Sequence, residues 1–158
     1  MTKKLEVYAC LEQAGIAFEF QKFIPLRGGT CADYASVDFW ISRPWGKVCL
    51  QIDEHEHLES DPSYDARRDV TILSSAGLGP DARVFILRYN PDEFKVGEDT
   101  CWVAPKERHD RLLEVLNAQE PPPCARTFFF YSKRSREDQL PAIAERWALL
   151  VRHWSRAL

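Results

Sequence analysis

Hydrophobic residues recur along this chain at helical spacing in some stretches and at every second position in others. From Leu5 to Ala14, the residues Leu5, Tyr8 and Leu11 fall on one face, with Ala9 beside them, and Gly15 ends the run. This predicts a short amphipathic helix. From Ile16 to Ile24 the period drops to two: Ile16, Phe18 and Phe20 alternate with Ala17, Glu19 and Gln21. That is the pattern of a strand with one face in the core. Arg27-Gly28-Gly29-Thr30 reads as a turn.

Val37 to Ile41 predicts a second strand, stopped by the turn Arg43-Pro44-Trp45-Gly46. Val48 to Ile52 is an apolar run interrupted only by Gln51, expected of a central strand buried on both faces, and it pairs with its predecessor as a hairpin. Asp61-Pro62-Ser63 marks a helix start, with Asp61 or Ser63 as cap, and the helix runs to about Ala76 before Gly77. Gly79-Pro80-Asp81 is a turn, Arg83 to Tyr89 an apolar strand, and Asn90-Pro91-Asp92 its end. Pro105 to Ala118 predicts a helix with Leu112, Leu113 and Leu116 inward. After the stiff Pro121-Pro122-Pro123 spacer come a strand over Thr127–Tyr131 and a helix over Pro141–Trp154. The order αβββαβαβα combines a hairpin with strand–helix–strand units. It predicts an α/β domain, a mixed sheet flanked by helices.

Composition narrows this little. The chain has 158 residues, 45% hydrophobic and 28% charged, which suits one globular domain over 1–158. Its core is expected at about 5–131, with a helical extension at 137–157. The opening MTKKLEVYACLEQAG lacks the apolar stretch of a signal peptide, and no apolar run is long enough to span a bilayer. A soluble intracellular protein with no membrane partner is expected. The odd set Cys10, Cys31, Cys49, Cys101 and Cys124 contains no CxxC pair, which argues against a disulfide framework or a cysteine zinc site.

Charge adds a hint. The net formal charge is −3, yet Lys133, Arg134, Arg136, Arg146, Arg152 and Arg156 make a basic flank, while the acidic excess lies between Asp53 and Asp99. Such a division suits a metal-dependent enzyme on a phosphate substrate, and it equally suits a solvated surface.

The stretch from Asp38 to Arg68 carries the candidate chemistry. One apolar strand holds Asp38, and the next holds Gln51 and Asp53 on one face and runs into Glu54-His55-Glu56-His57. Across a hairpin, Asp38 is expected beside that pair. Carboxylates at the ends of buried strands are costly unless compensated, and a divalent cation would compensate them. His57 is an acid–base group of suitable pKa class. Phosphodiester hydrolysis is then within reach. A solvated acidic loop, or a zinc hydrolase site through His55 and His57, fits the same residues. Trp40, Trp45, Trp102, Trp147 and Trp154 read as core or core-edge residues, and Asn90-Pro91-Asp92 as a structural turn.

The ordered set of short strings resembles a known family. Gly28-Gly29 and Cys31 precede Asp38-Phe39; Ile52-Asp53-Glu54 and His57 follow; then come Asp61-Pro62-Ser63, Asp65, Arg68, Arg88-Tyr89-Asn90-Pro91-Asp92 and Phe129-Phe130-Tyr131. Together, over Leu5 to Tyr131, they resemble PD-(D/E)XK endonuclease-like proteins related to very-short-patch repair and EDxHD homing endonucleases. The resemblance implies a restriction-endonuclease-like fold and cleavage of double-stranded DNA with Mg²⁺ or Mn²⁺. It implies catalytic roles for Asp38, Asp53, His57, Asp65 and Glu19, with metal contacts from Asp38, Asp53 and Gln51. Arg68, Lys133, Arg134 and Arg136 are the expected DNA contacts. A homodimer is one expected arrangement, since nucleases of this type pair two sites to cut both strands. This chain departs from the pattern at Ser36-Val37, where relatives carry Arg-Pro, and at Gln51, where they carry Glu. A degenerate module that binds nucleic acid without cutting is therefore the alternative.

Overall fold

A computed structural model describes residues 2–25, 34–54, 62–73, 83–96, 98–122 and 126–130. The expected turn at Arg27–Thr30, the cap and the end of the helix starting near Asp61, and the helix over Pro141–Trp154 lie outside the described residues.

The described elements follow the expected order with one addition. They are α1 (Lys3–Gln13), β1 (Phe18–Pro25), β2 (Tyr34–Arg43), β3 (Gly46–Ile52), α2 (Pro62–Leu73), β4 (Val84–Tyr89), β5 (Phe94–Val96), β6 (Asp99–Cys101), α3 (Pro105–Asn117) and β7 (Arg126–Phe129). Five of these strands form one mixed sheet in the order β1-β2-β3-β4-β7. β1, β2 and β3 pair antiparallel, whereas β3, β4 and β7 run parallel. The α/β class with a mixed sheet flanked by helices is thus present. β5 and β6, a small separate hairpin, were not legible because each is only three residues long.

Helices cover both faces of the sheet. Val7 and Leu11 of α1 and Leu112 and Leu116 of α3 pack with Phe39, Ile41, Val48, Leu50, Ile52, Leu87 and Tyr89. On the opposite face, Ile72 and Leu73 of α2 pack with Ala35, Val37, Trp40, Cys49, Val84 and Ile86. The two central strands explain the apolar runs seen in the sequence, since every residue of β4 is buried. Burial and Asp69 push the Cys49 thiol up to about 12, in keeping with a small core residue. Cys10, Cys49 and Cys101 are all free. Among the described residues no helix is long and apolar enough to cross a membrane.

Strand alternation breaks once, at a position that matters below. Ala35 and Val37 face α2, but Phe39 and Ile41 face α1 and α3. The opposite residue on β1, Gln21, has a φ of 50° and drops out of a ladder that pairs Phe20 with Phe39 and Lys22 with Val37. Both strands therefore exchange faces at Gln21 and Asp38. Pairing of β2 with β3 also ends there, at Phe39 opposite Leu50. The sheet forks at Asp38.

At the other end of β2, Pro44 and Trp45 make the turn into Gly46, where a Cβ would lie 2.8 Å from the Arg83 carbonyl oxygen. That carbonyl accepts from the Lys47 N–H at 2.7 Å and starts the β3–β4 pairing, so it has no freedom to retreat. Gly46→Ala should destabilise the fold by about 1–3 kcal/mol, as overpacking does. Urea unfolding measures this; a loss below about 0.5 kcal/mol would mean that the Arg83 carbonyl yields without cost.

Candidate functional site

The carboxyl ends of β3 and β4 gather the charged residues. Gln51 stands opposite Arg88 in the parallel register, and the Asp53 N–H donates to the Tyr89 carbonyl at 2.8 Å. By strand alternation Gln51, Asp53 and Arg88 all point toward α2. There Arg88, 1% exposed, becomes the centre of an ion network. Its Nη1 donates to Asp53 Oδ2 at 2.6 Å, its Nε to Asp69 Oδ2 at 2.8 Å and its Nη2 to Asp69 Oδ1 at 3.0 Å. Asp65, one helical turn before Asp69 on α2, stands 3.7 Å from Nη1. Arg126 of β7 adds a second guanidinium, donating from Nε to Asp69 at 2.6 Å.

Three buried carboxylates thus surround two buried guanidiniums. Burial opposes the charge on Arg88, but Asp69 and Asp53 more than offset it and raise its pKa well above the ordinary value. For Arg126 the balance reverses: burial outweighs Asp69, and repulsion from Arg88 adds to it, so its pKa is lowered. The bidentate Arg88–Asp69 pair has the fork geometry of a strong charge-assisted contact.

Asp38 is held elsewhere. At the fork its Oδ2 accepts from the Ile52 N–H at 2.9 Å, taking the place of a missing β2–β3 ladder bond. Its Oδ1 meets Lys4 Nζ, from the first turn of α1, at 2.5 Å. The Asp38 side chain remains 14% exposed and that of Lys4 31%.

The structure therefore joins Asp53, Asp65 and Asp69 through Arg88, whereas the bonds of Asp38 go to the Ile52 N–H and to Lys4. Asp38 does reach the segment between Gln51 and Asp53, at the Ile52 N–H, but the face exchange at Gln21 and Asp38 keeps it out of the row of side chains on the α2 face. Regular alternation would have put Asp38 on the α2 face opposite Gln51; the slip gives that face to Val37 and turns Asp38 into the fork. The Gln51 amide lies against Cys49 Sγ at 3.6 Å and is buried. Glu19, on edge strand β1, is exposed and pairs with Lys22 at 2.6 Å. Arg68 reaches the Ser36 carbonyl and ties α2 to β2. His55, His57, Lys133, Arg134 and Arg136 lie outside the described residues.

Asn90-Pro91-Asp92 is a structural turn: the Asn90 amide donates to the Phe130 carbonyl at 2.9 Å, and its Oδ1 accepts from the Asp92 N–H at 3.0 Å. Arg108, 1% exposed, clamps it by donating to the Asn90 and Asp92 carbonyls at 2.8 and 2.7 Å. Trp40 is buried and Trp45 bonds the Ala118 carbonyl at 2.9 Å, as core residues should, but Trp102 is 65% exposed because it follows the small hairpin outside the main sheet.

For a hard divalent cation the donors have the right chemistry, being oxygen ligands. Their arrangement fits only in part. Asp38 keeps a little solvent exposure but is bonded by the Ile52 N–H and Lys4, Asp53 is bonded by the buried Arg88, and Gln51 points to the α2 face. Among the described residues no three His, Cys, Asp or Glu side chains form a metal-holding group. No family model, curated protein or solved structure matches the chain.

Arg88, Asp69 and Arg108 carry much of this edge, and the sequence reading assigned no role to them. The signals were present: Arg88 stands at an inward position of an apolar strand, Asp69 follows Asp65 by one turn, and Arg108 precedes Leu112 by one turn on the buried stripe of α3. Removing Arg88 leaves buried carboxylates without their shared cation, which costs about 3–5 kcal/mol in comparable sites. Arg88→Met should lose that much on urea unfolding. Asp38→Asn keeps an acceptor for Ile52 and breaks only a part-exposed pair, so it should change stability by under about 1 kcal/mol. Equal losses in the two variants would overturn this division between a structural cluster and an accessible acid.

Proposed function

We propose that this chain is a metal-dependent DNA endonuclease of PD-(D/E)XK type. The observation that supports it most is Asp38 itself: a carboxylate at the fork of a mixed sheet, where β2 parts from β3, in the element order expected from the hydrophobic pattern. The acid stands within a strand and is held by a backbone N–H of the buried strand β3. A preorganised carboxylate beside solvent is what phosphodiester hydrolysis requires of the protein.

In this reading Asp38 would hold Mg²⁺ or Mn²⁺, which would polarise the scissile phosphate and activate water. His57, four residues beyond Asp53, is the general acid–base group. Asp53 and Asp65 act through the Arg88 network, fixing the end of β3 from which the His57 segment departs. Double-stranded DNA is the substrate, with Lys133, Arg134 and Arg136 as backbone contacts.

A second reading has its own observation. Asp53 is committed to Arg88 and Gln51 brings no charge, so a nucleic-acid-binding module that does not cut is the alternative. A nicking assay on supercoiled DNA with Mn²⁺ separates the two. Wild type should nick, Asp38→Asn should be inactive, and His57→Ala should be slower by about 10²–10⁴ with folding intact. Retarded migration of uncut plasmid, with no nicking by any form, would favour the module.

A further inference from the structure

β7 is an outer strand of the sheet and the last of the described elements. Its Phe129 and the following Phe130 are half-buried and pack on the core cluster beneath α1 and α3, as does Val115 of α3. Beside these three runs a cleft of about 520 Å³, room for several side chains, with Pro121 and Pro122 in its wall. Its polar border carries two carboxylates, Glu114 and Glu120, against one guanidinium, and that one, Arg111, bonds Glu114 at 3.1 Å. The cleft is thus apolar inside and acidic at the border.

An apolar shelf at the edge of a layer of helices is the place for a further helix. The residues that follow β7 offer one of matching chemistry. After Pro141 the sequence sets Ile143, Trp147, Leu150 and Trp154 at i, i+4, i+7 and i+11, one stripe of a 3.6-residue period, with Val151 and Leu158 beside it. Two tryptophans in such a stripe are costly to leave in water. Charge matches as well: this stretch holds Arg146, Arg152 and Arg156 against Glu145, opposite in sign to the border of the cleft. Reach is sufficient. The ten residues 131–140 join Phe130 to Pro141 and span up to about 33 Å when extended, whereas the 13 residues of α3 are about 20 Å long. A tether this short also keeps the segment at a local concentration near millimolar, which favours it over the same segment of a second copy.

We propose that residues 141–154 form a helix that lies in the cleft between α3 and β7, setting Ile143, Trp147, Leu150 and Trp154 against Val115, Phe129 and Phe130. That helix completes the layer on this face of the sheet. It also ties down both ends of the basic stretch that contains Lys133, Arg134 and Arg136. Because β7 runs parallel to β3 and β4, that stretch leaves the sheet at the edge where Asp53 and Asn90 stand. Docking does not depend on DNA as the ligand.

Hydrogen exchange of the full chain, read by mass spectrometry, tests the docking. Amides of residues 143–154 should exchange at least about tenfold more slowly in the wild type than in a free peptide of the same sequence. That protection should persist across about a hundredfold dilution of the protein, as an intramolecular contact requires. Val115→Glu places a charge in the cleft and Leu150→Glu places one in the stripe. Each should speed the exchange by about tenfold, and the double variant should add little, since either change alone already releases the helix. The amides of β4 report on the core; should Val115→Glu expose them, Ala118→Glu, at an exposed position of the same cleft, takes its place. Protection lost on dilution would give the cleft to the segment of a second copy and overturn the proposal. Peptide-like exchange in the wild type, or protection that neither cleft variant alters, would overturn it too.

Discussion

Arg88 lies in a strand whose side chains are all buried, and a guanidinium, which stays charged there, is costly to bury unless its donors and its charge are met. Asp53 from the end of β3 and Asp65 and Asp69 from α2 provide them, and Arg126 brings β7 into the same network. The network joins β3, β4, β7 and α2. The network fixes how far α2 sits from the sheet, where β3 ends, and how the edge strand β7 attaches. Hydrophobic burial drives the chain together, but it is indifferent to such details; paired buried charges are not, because a small displacement leaves a charge uncompensated.

That constraint shapes the candidate site. With Asp53 tied to Arg88, the end of β3 is rigid, and β2 separates from it at Asp38. The fork would leave the Ile52 N–H unpaired, and the Asp38 side chain takes it. One oxygen of a carboxylate then completes the sheet while the other meets Lys4 near solvent. The same residue closes the fold and faces outward. A position of this kind is well placed to hold a ligand in a defined orientation.

Most of the architecture could be read from hydrophobic rhythm. The run Val48–Ile52, apolar but for Gln51, marked a central strand, and the 3.6 period after Pro105 marked α3 with Leu112 and Leu116 inward. What escaped was of two kinds. The small β5–β6 hairpin is too short to show a period. Long-range charge pairing has no local signature, since Arg88 meets Asp69 only after α2 folds across the sheet. For the same reason the candidate acids were seen as residues but not as a geometry: two-residue alternation predicted Asp38 beside Gln51, and nothing in the string Ser36-Val37-Asp38-Phe39 announces that the strand exchanges faces there.

Anomalous scattering from crystals soaked in Mn²⁺ addresses the division of labour between Asp38 and Asp53 most directly. An accessible Asp38 and a committed Asp53 predict a manganese peak at roughly coordination distance, about 2.0–2.2 Å, from an Asp38 oxygen, with Lys4 displaced and the Asp53–Arg88 bond intact. A peak on Asp53 with Arg88 displaced, or no peak at Asp38 in well-soaked crystals, would contradict it.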